Sequence, residues 1–530
     1  MSNMKNKADV IIIGAGISGL VCALESLRQG KKVIILDAQS RERAGGLARV
    51  AFGGMALIDT PEQKSKGIRD SAEIAFNDWC SFAEFGLKDH WPKQWAKYYT
   101  ENSISEIYEY VKSLGLKFLP AVNWVERGLY TPGNSLPRYH ILWGASLRLV
   151  TQLIKQLAEY ENNLLTYQFQ CRATKLIKTA DSIIGCCATN KQHQEVEYYA
   201  EAVVVASGGF TGNLDKVRQE WPEDWGEPQA GLLNGTHPSN DGKMHDCVED
   251  IGGQTSNMHN MWNYAAGIPN PNADFENHGL SLIPPRSAIW IDNKGHRIGP
   301  EPLVSSFDTM HMCRQINRLQ IPHSWQIMNR RIALKELAIS GSEHNTAIRD
   351  RQFITMLKEV LLGNKKLVDK MLRESDHFIQ ADKLEDLVPK MNNLTPNSPV
   401  SFDALKNTLD RFDQVVSRKE SLWNDDQLRR IMSIRKWGTD KLRACYPKPI
   451  QGGTPLIAIK LNLITRKCLG GIKTDLSCRV LNMAEQPIKG LYAIGEASGF
   501  GGGGTNGKRS LEGTFLSGCI LTARQAARSI

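Results

Sequence analysis

The chain opens with an unbroken apolar run, VIII, then GAGISG, then an apolar-periodic LVCALESLRQG and a second apolar run ending in Asp37. That order predicts strand, glycine turn, helix and strand between Asp9 and Leu36. Apolar positions three and four apart in LRLVTQLIKQLAEY, from Leu147, predict a helix. The β-branched stretches ATKLIKTA, SIIGCCA and AEAVVVASGG predict strands. From about His259 to Lys441 the pattern changes to charged helical segments, RRIALKELAIS and FDALKNTLDRFDQVV, preceded by a hairpin signature, AIWIDNKGHR. Strand-like and glycine-rich text returns in PLIAIKLNLIT, GGIKTDL and GLYAIGEASGFGGGG, and a helix closes the chain from SLEGTF onwards. The expected fold is α/β: a Rossmann-like dinucleotide-binding domain split into 1–258 and 442–530, interrupted by a mainly helical α+β cap over 259–441.

The first turn carries chemistry. Gly14, Gly16 and Gly19 satisfy G-x-G-x-x-G after a strand and before a helix, so that the turn with Ala15 and Ser18 can hold a pyrophosphate against a helix N-terminus. Asp37, followed by Ala38, ends the next strand eighteen residues after Gly19. A carboxylate there accepts the hydroxyls of an unphosphorylated adenosine ribose.

Composition narrows the class. A length of 530 residues exceeds what one core usually accommodates, so two domains are expected. Glycine (45) is in excess over proline (22), which favours tight turns and phosphate cradles over linkers. The formal charge of +9 is spread along the chain, which predicts a solvated, mildly basic surface and no nucleic-acid groove. Eleven cysteines form no C-x-x-C, haem or zinc pattern, so no metal site is expected and the thiols read as reduced. The apolar run from Val10 is broken by glycines well short of the roughly 20 residues of a membrane span. Neither a signal peptide nor a span is expected, and the expected location is cytoplasmic.

A second strand end, LYAIGEASG, places Gly495 and Glu496 where a segment distant in the chain would meet the ribityl end of an extended flavin dinucleotide. A simple NAD domain needs no such partner. The run Gly501 to Gly504 reads as a substrate-side or flavin-side loop. Over nearly its whole length the chain resembles the FAD-dependent fumarate reductase and 3-ketosteroid dehydrogenase superfamily, in particular its bacterial FAD-binding dehydrogenases. The resemblance rests on AGGLARVAFGGMALIDTPEQ, NSLPRYHILWG, VVVASGGFTGN, HGLSLIPPRSAIWIDNKGHR, LITRKCLGGIKTDLSCRVL and FGGGGTNGKRSLEGTFLSGC. It implies that Gly45, Gly46, Leu47, Gly53 and Gly54 pass close to the flavin side of the cofactor. It implies further that Ala206, Ser207, Gly208 and Gly209, then Asn213, form the strand-end contact, and that Asn240, Asp241 and Gly242 form a dinucleotide-side loop. Glu496 would bind ribitol hydroxyls, and the amides of Gly513, Thr514, Phe515 and Leu516 would face the pyrimidine carbonyls of the flavin. The segment that carries a flavin-linking His in succinate dehydrogenases has none here, so the FAD should be non-covalent.

The same resemblance suggests the catalytic groups. His140, in R-x-H, would polarise the substrate, with Tyr139 beside it as a proton carrier. Arg466 and Lys467 stand where fumarate reductases have a His pair, and Arg509 lies one residue from the position of their carboxylate-binding arginine. Their proton-delivering arginine has no counterpart: after GHRIGPE the chain reads LVSSFDT, with Ser306 or Phe307 nearest. A tyrosine, among Tyr139, Tyr130 and Tyr264, is expected to take that role, with Tyr264 also a substrate contact.

The expected protein is therefore an FAD-dependent oxidoreductase that dehydrogenates, or reduces, a carbon–carbon bond alpha,beta to a carbonyl, with a 3-ketosteroid-like ketone as the family-level expectation. Its substrate is expected to lie where flavin domain and cap meet. Its electrons would pass to a separate acceptor: a quinone, a soluble carrier or oxygen. The alternatives are a reductase of small unsaturated carboxylates, a non-catalytic flavin-binding redox sensor, and an NAD-linked dehydrogenase using the first motif alone.

Overall fold

The computed structural model describes residues 6–161 and 163–530; residues 1–5 and 162 of the expected flavin domain lie outside the described residues. The chain divides into two compact units, the first made of residues 1–221, 236–262 and 466–530, the second of 222–235 and 263–465.

The first unit is built on a six-stranded sheet. Its order across the sheet is Arg479–Leu481, Pro487–Ala493, Ala202–Val205, Val10–Ile13, Val33–Asp37 and Leu165–Phe169. All neighbours are parallel except Arg479–Leu481, which is antiparallel to Pro487–Ala493. Val10–Ile13 and Ala202–Val205 are buried along their whole length, as strands covered on both faces must be. The helices Ile17–Arg28 and Thr514–Ser529 supply much of that cover; each buries ten or more of its residues. Strand order reverses beside Val10–Ile13, because the chain runs outward to Val33–Asp37 on one side and returns as Ala202–Val205 on the other. A crevice at the carboxyl ends of these strands is where such sheets bind ligands.

Three smaller antiparallel sheets belong to the unit, among them the two-stranded pair of Thr255–Ser256 and Gly471–Ile472. A second is Arg172–Lys178, Ile183–Thr189 and Glu195–Tyr199. The third is Gly54–Ala56, Tyr139–Leu142 and Phe118–Asn123, with Tyr139–Leu142 in the middle. That middle strand is fixed from below by a buried ion network. The Arg138 guanidinium donates to both oxygens of Asp70 at 2.7 and 2.8 Å and to Asp78 at 2.6 Å.

The second unit contains more sheet than its charged helical text suggests. Ile289–Ile291, Ser324–Asn329, Leu456–Cys468, Met261–Pro269, Gly279–Ile283 and Ala338–Ile339 follow one another across an eight-stranded sheet, with Leu233–Asn234 and Phe378–Ala381 also on Leu456–Cys468. The expected boundary at 442 is corrected accordingly. Leu456 to Leu461 pairs antiparallel with Ser324–Asn329, so this segment closes the second unit, and the chain re-enters the first at Arg466. Helices include Phe353–Leu362, Lys365–Glu374, Leu384–Leu394 and Phe402–Val416, the last matching FDALKNTLDRFDQVV residue for residue. Among the described residues no helix is long and apolar enough to cross a membrane.

Candidate functional site

The three glycines of the first turn have three separate jobs. Gly14 adopts φ +114°, and a Cβ there would lie 2.4 Å from the Ala206 carbonyl oxygen, so only glycine lets the first and returning strands approach. A Cβ on Gly19 would lie 2.0 Å from the Gly14 carbonyl oxygen, which makes it the residue of close helix–strand packing. At Gly16, by contrast, a Cβ would meet no protein atom within 4 Å. This open face at the N-cap of Ile17–Arg28 is a cradle that a side chain would fill, and it fits the pyrophosphate of a dinucleotide. Gly45 (φ +104°) bridges to Gly16 and donates its N–H to the Ala15 carbonyl at 2.8 Å, while Gly46 lies against the Gly16 Cα, so this second loop forms a wall of the same cradle. Leu47 continues it in a short 3-10 turn.

Asp37 is held in place by two backbone donors. It accepts from the Ala15 N–H at 2.6 Å and from the Gln39 N–H at 2.7 Å, which leaves further lone pairs for a ribose diol. Burial pushes its carboxyl up from the usual range, against the pull of those backbone donors. Asp241 is bonded to Arg172 at 2.6 Å, and the same Arg172 acts on Asp37, which sets the Asp241 loop at this end.

Towards the other end, Glu496 is buried, and burial raises its carboxyl pKa. It accepts from the Cys468 N–H at 3.2 Å and bonds the Asn240 side chain. Gly208 and Gly209, after the returning strand, let Asn240 and Glu496 come close, since Cβ atoms there would lie 2.0 Å from Asn240 Oδ1 and 2.6 Å from Glu496 Oε1. Gly495 packs in the same way on the Ser18 side chain. Asn213 departs from the expected strand-end role: its side chain accepts from Asp215 and Lys216 N–H groups and caps the Leu214–Gln219 helix. Gly501 to Gly504 also depart from the expected loop role. They are buried, and Cβ atoms on Gly501 and Gly502 would collide with Trp95 and with the Trp91–Pro92 backbone.

The closing helix Thr514–Ser529 begins at Gly513, which adopts φ +101° and gives no side-chain cap. A Cβ there would lie 2.7 Å from the Ala56 N, so glycine permits the helix N-terminus to meet the Gly54–Ala56 strand. The positive end of the helix dipole favours negative charge at this point. Phe515 and Leu516 are buried beneath it.

Four polar side chains of the first unit gather around this N-terminus. The Tyr139 hydroxyl lies against Gly54, where a Cβ would be 1.9 Å from it, and the ring lies against Gly513. Burial, with Glu512 in support, raises the Tyr139 phenol pKa, so the phenol stays protonated. Glu512 is half-buried and accepts a hydrogen bond from Trp262 Nε1 at 3.1 Å. Lys467 holds its ammonium 4.2 Å from the Phe515 ring centre. Burial, and then the neighbouring Arg466, push the Lys467 amine down to about 8, with Glu512 and Glu496 opposing. Glu512 and Trp262 were not singled out in the sequence. The signal for Glu512 was its place directly before Gly513 at a helix start, where an acid acts on the first turn.

Other expected catalytic residues sit elsewhere. His140 is fully buried; Nδ1 contacts the Arg138 carbonyl at 2.7 Å and Nε2 the Thr60 hydroxyl at 2.8 Å. Both nitrogens are thus engaged by groups of the fold, where the sequence reading expected one to polarise a substrate. Burial lowers its pKa to about 4, so the ring is neutral in the folded chain. A folded-state pKa below the unfolded one gives stability that is present above about pH 6.5 and lost as pH falls towards 4. His140→Gln should flatten the fall of Tm with pH in that window by about one proton, roughly 1.4 kcal/mol per pH unit. Thermal melts from pH 4 to 8 would check this; an unchanged slope would contradict it. Arg509 is ion-paired with Glu84 at 2.5 Å. Tyr130 is 66% exposed in a loop. Tyr264 is half-buried in the second unit. Also in that unit, the Ser306 hydroxyl accepts from Arg286 at 2.9 Å and Phe307 lies under Arg430, so guanidinium groups from elsewhere in the sequence serve the segment that lacks its own arginine.

Comparison with known proteins identifies the family. A family model described as FAD binding domain matches residues 9–516. KsdD-like steroid dehydrogenases of Mycobacterium tuberculosis (strain CDC 1551 / Oshkosh) and Mycolicibacterium smegmatis are each 37% identical, over 98% and 96% of this chain and 95% and 96% of theirs. A 3-ketosteroid delta1-dehydrogenase structure from Sterolibacterium denitrificans superposes with TM-score 0.70 over 99% of both chains at 18% identity, a likeness of fold.

Proposed function

The chain belongs to the FAD binding domain family and is an FAD-dependent oxidoreductase of CH–CH bonds, and from that premise we propose that it dehydrogenates a 3-ketosteroid-like ketone. The observation that carries the reading is the cluster of Tyr139, Glu512 and Lys467 at the Gly513 helix start. Similarity over nearly the whole chain to KsdD-like steroid dehydrogenases supports the substrate class. The residues that would hold FAD, without a covalent bond, are Gly16 and Gly45 at the pyrophosphate, Asp37 at the adenosine and Glu496 at the ribityl chain.

FAD, when bound, accepts a hydride from the carbon beta to the carbonyl. The chain's own groups handle the remaining charge. The Tyr139 phenol, kept protonated, donates a hydrogen bond to the substrate carbonyl and stabilises the enolate character that develops there. The Glu512 carboxylate, oriented by Trp262, takes the proton from the alpha carbon, so that one hydride and one proton leave the two carbons as the double bond forms. Lys467 keeps positive charge near Glu512 and the helix start. His140, with Thr60 and Arg138, positions the strand that carries Tyr139. The enzyme works in the cytoplasm with a separate electron acceptor.

An anaerobic visible spectrum tests the substrate. Addition of a saturated 3-ketosteroid should bleach the flavin band near ~450 nm, and succinate should leave it. Bleaching by succinate alone would replace the reading with that of a small-carboxylate enzyme. No bleaching by any carbonyl compound would leave a flavin-binding sensor.

A further inference from the structure

The second unit carries a helix whose amphipathicity is reversed. Phe353–Leu362, FITMLKEVLL, has no fully buried residue. Ile354 is 70% exposed, Leu357 44%, Leu361 51% and Leu362 79%. Spaced three and four apart, Ile354, Leu357 and Leu361 form one stripe along the helix. The half-buried residues on the other side are Met356, Glu359 and Val360, so a carboxylate is turned inwards while leucines face out. This face is not a frayed end. The Lys335 ammonium donates to the Val360 and Leu361 carbonyls at 3.1 and 3.2 Å, and the Asn364 N–H donates to the Leu334 carbonyl at 2.8 Å, which anchors the helix through its main chain.

Exposed cations surround the stripe: Arg351 before the helix, Lys358 within it, and Lys365 and Lys366 just after it. None of the four makes an ion pair among the described residues. Of the acids near them in sequence, Asp350 is paired with Arg349 and Asp369 with Arg330, while Glu359 is half-buried on the inner side, where Arg443 and Lys366 act on it. A short helix, about 15 Å long, with an apolar outer face and a basic border has the pattern of one that lies in a lipid interface, leucines among the acyl chains and lysines at phosphate level.

We propose that Phe353–Leu362 docks the protein onto an anionic phospholipid surface. Charge decides between occupants. A second copy meeting this face about a twofold axis would bring like cations together, whereas an anionic bilayer pairs them. The proposal concerns where the enzyme resides and stands whether or not the substrate reading holds.

The experiment uses the full-length, FAD-loaded protein sedimented with phosphatidylcholine vesicles, with and without phosphatidylglycerol. The wild type should pellet with the anionic vesicles, less with phosphatidylcholine alone, and less as salt is raised. Ile354→Glu with Leu361→Glu should weaken that binding by at least about tenfold, and Lys365→Gln with Lys366→Gln should remove much of the preference for anionic lipid. Both variants should keep the flavin spectrum and the turnover of a dissolved ketone, which separates lost docking from lost folding and from failure of the substrate reading. The proposal is overturned if the wild type stays in the supernatant with anionic vesicles at low salt, or if the double Glu variant pellets equally. It is also overturned if light scattering shows a wild-type dimer that the double Glu variant dissociates while lipid binding is unchanged.

Discussion

Glu512→Gln should lower kcat by about 10²–10⁴-fold, because a positioned general base is typically worth that much. Gln has the size of Glu and still accepts from Trp262 Nε1, so the cluster should keep its shape and the FAD should stay bound. Turnover should fall while the spectral change on binding an unreactive ketone analogue persists. Tyr139→Phe, which removes only the hydroxyl against Gly54, should cost about 10²–10³-fold in kcat/KM. A Glu512→Gln enzyme with wild-type kcat would refute the assignment of the base and leave the cofactor site untouched.

Gly16→Val should separate folding from cofactor binding. The protein offers no atom within 4 Å of the new Cβ, so the apoprotein should fold normally. On the proposed placement the side chain enters the space of the pyrophosphate, and FAD affinity should fall by at least about a hundredfold. Gly19→Val supplies the contrast. Its Cβ would meet the Gly14 carbonyl at 2.0 Å, so it should destabilise the fold itself. Calorimetry with and without added FAD reads both: Gly16→Val should lose the shift of Tm on adding FAD and little else. Ordinary retention of FAD by Gly16→Val would place the pyrophosphate elsewhere.

Much of this was legible in the sequence because some signals are local. G-x-G-x-x-G after VIII fixes a turn whose geometry depends on six residues, and Asp37 follows from the end of the next strand. The helix at Phe402–Val416 could be read from its apolar period, with Ser401 as its cap. The Asn213 cap was equally local, since Asn before LDKVRQ is a helix-start signal, but the family likeness drew that residue to the cofactor. Other features depend on partners distant in the chain. PLIAIKLNLIT is apolar enough for either sheet, and only its pairing with Ser324–Asn329 assigns it to the second unit. The burial of His140 is set by Thr60 and Phe118, neither of which its own motif contains.

Tyr139 and His140 are consecutive on one strand, and consecutive strand residues face opposite sides. One side belongs to the packed interior, the other to the cluster proposed to react. The two requirements are thereby uncoupled at neighbouring positions: residue 139 can change with the reaction while residue 140 continues to satisfy the core. A deletion of one residue before the strand would exchange them, burying the phenol and presenting the imidazole. This short sheet can therefore diversify its chemistry by substitution but does not tolerate a shift of frame.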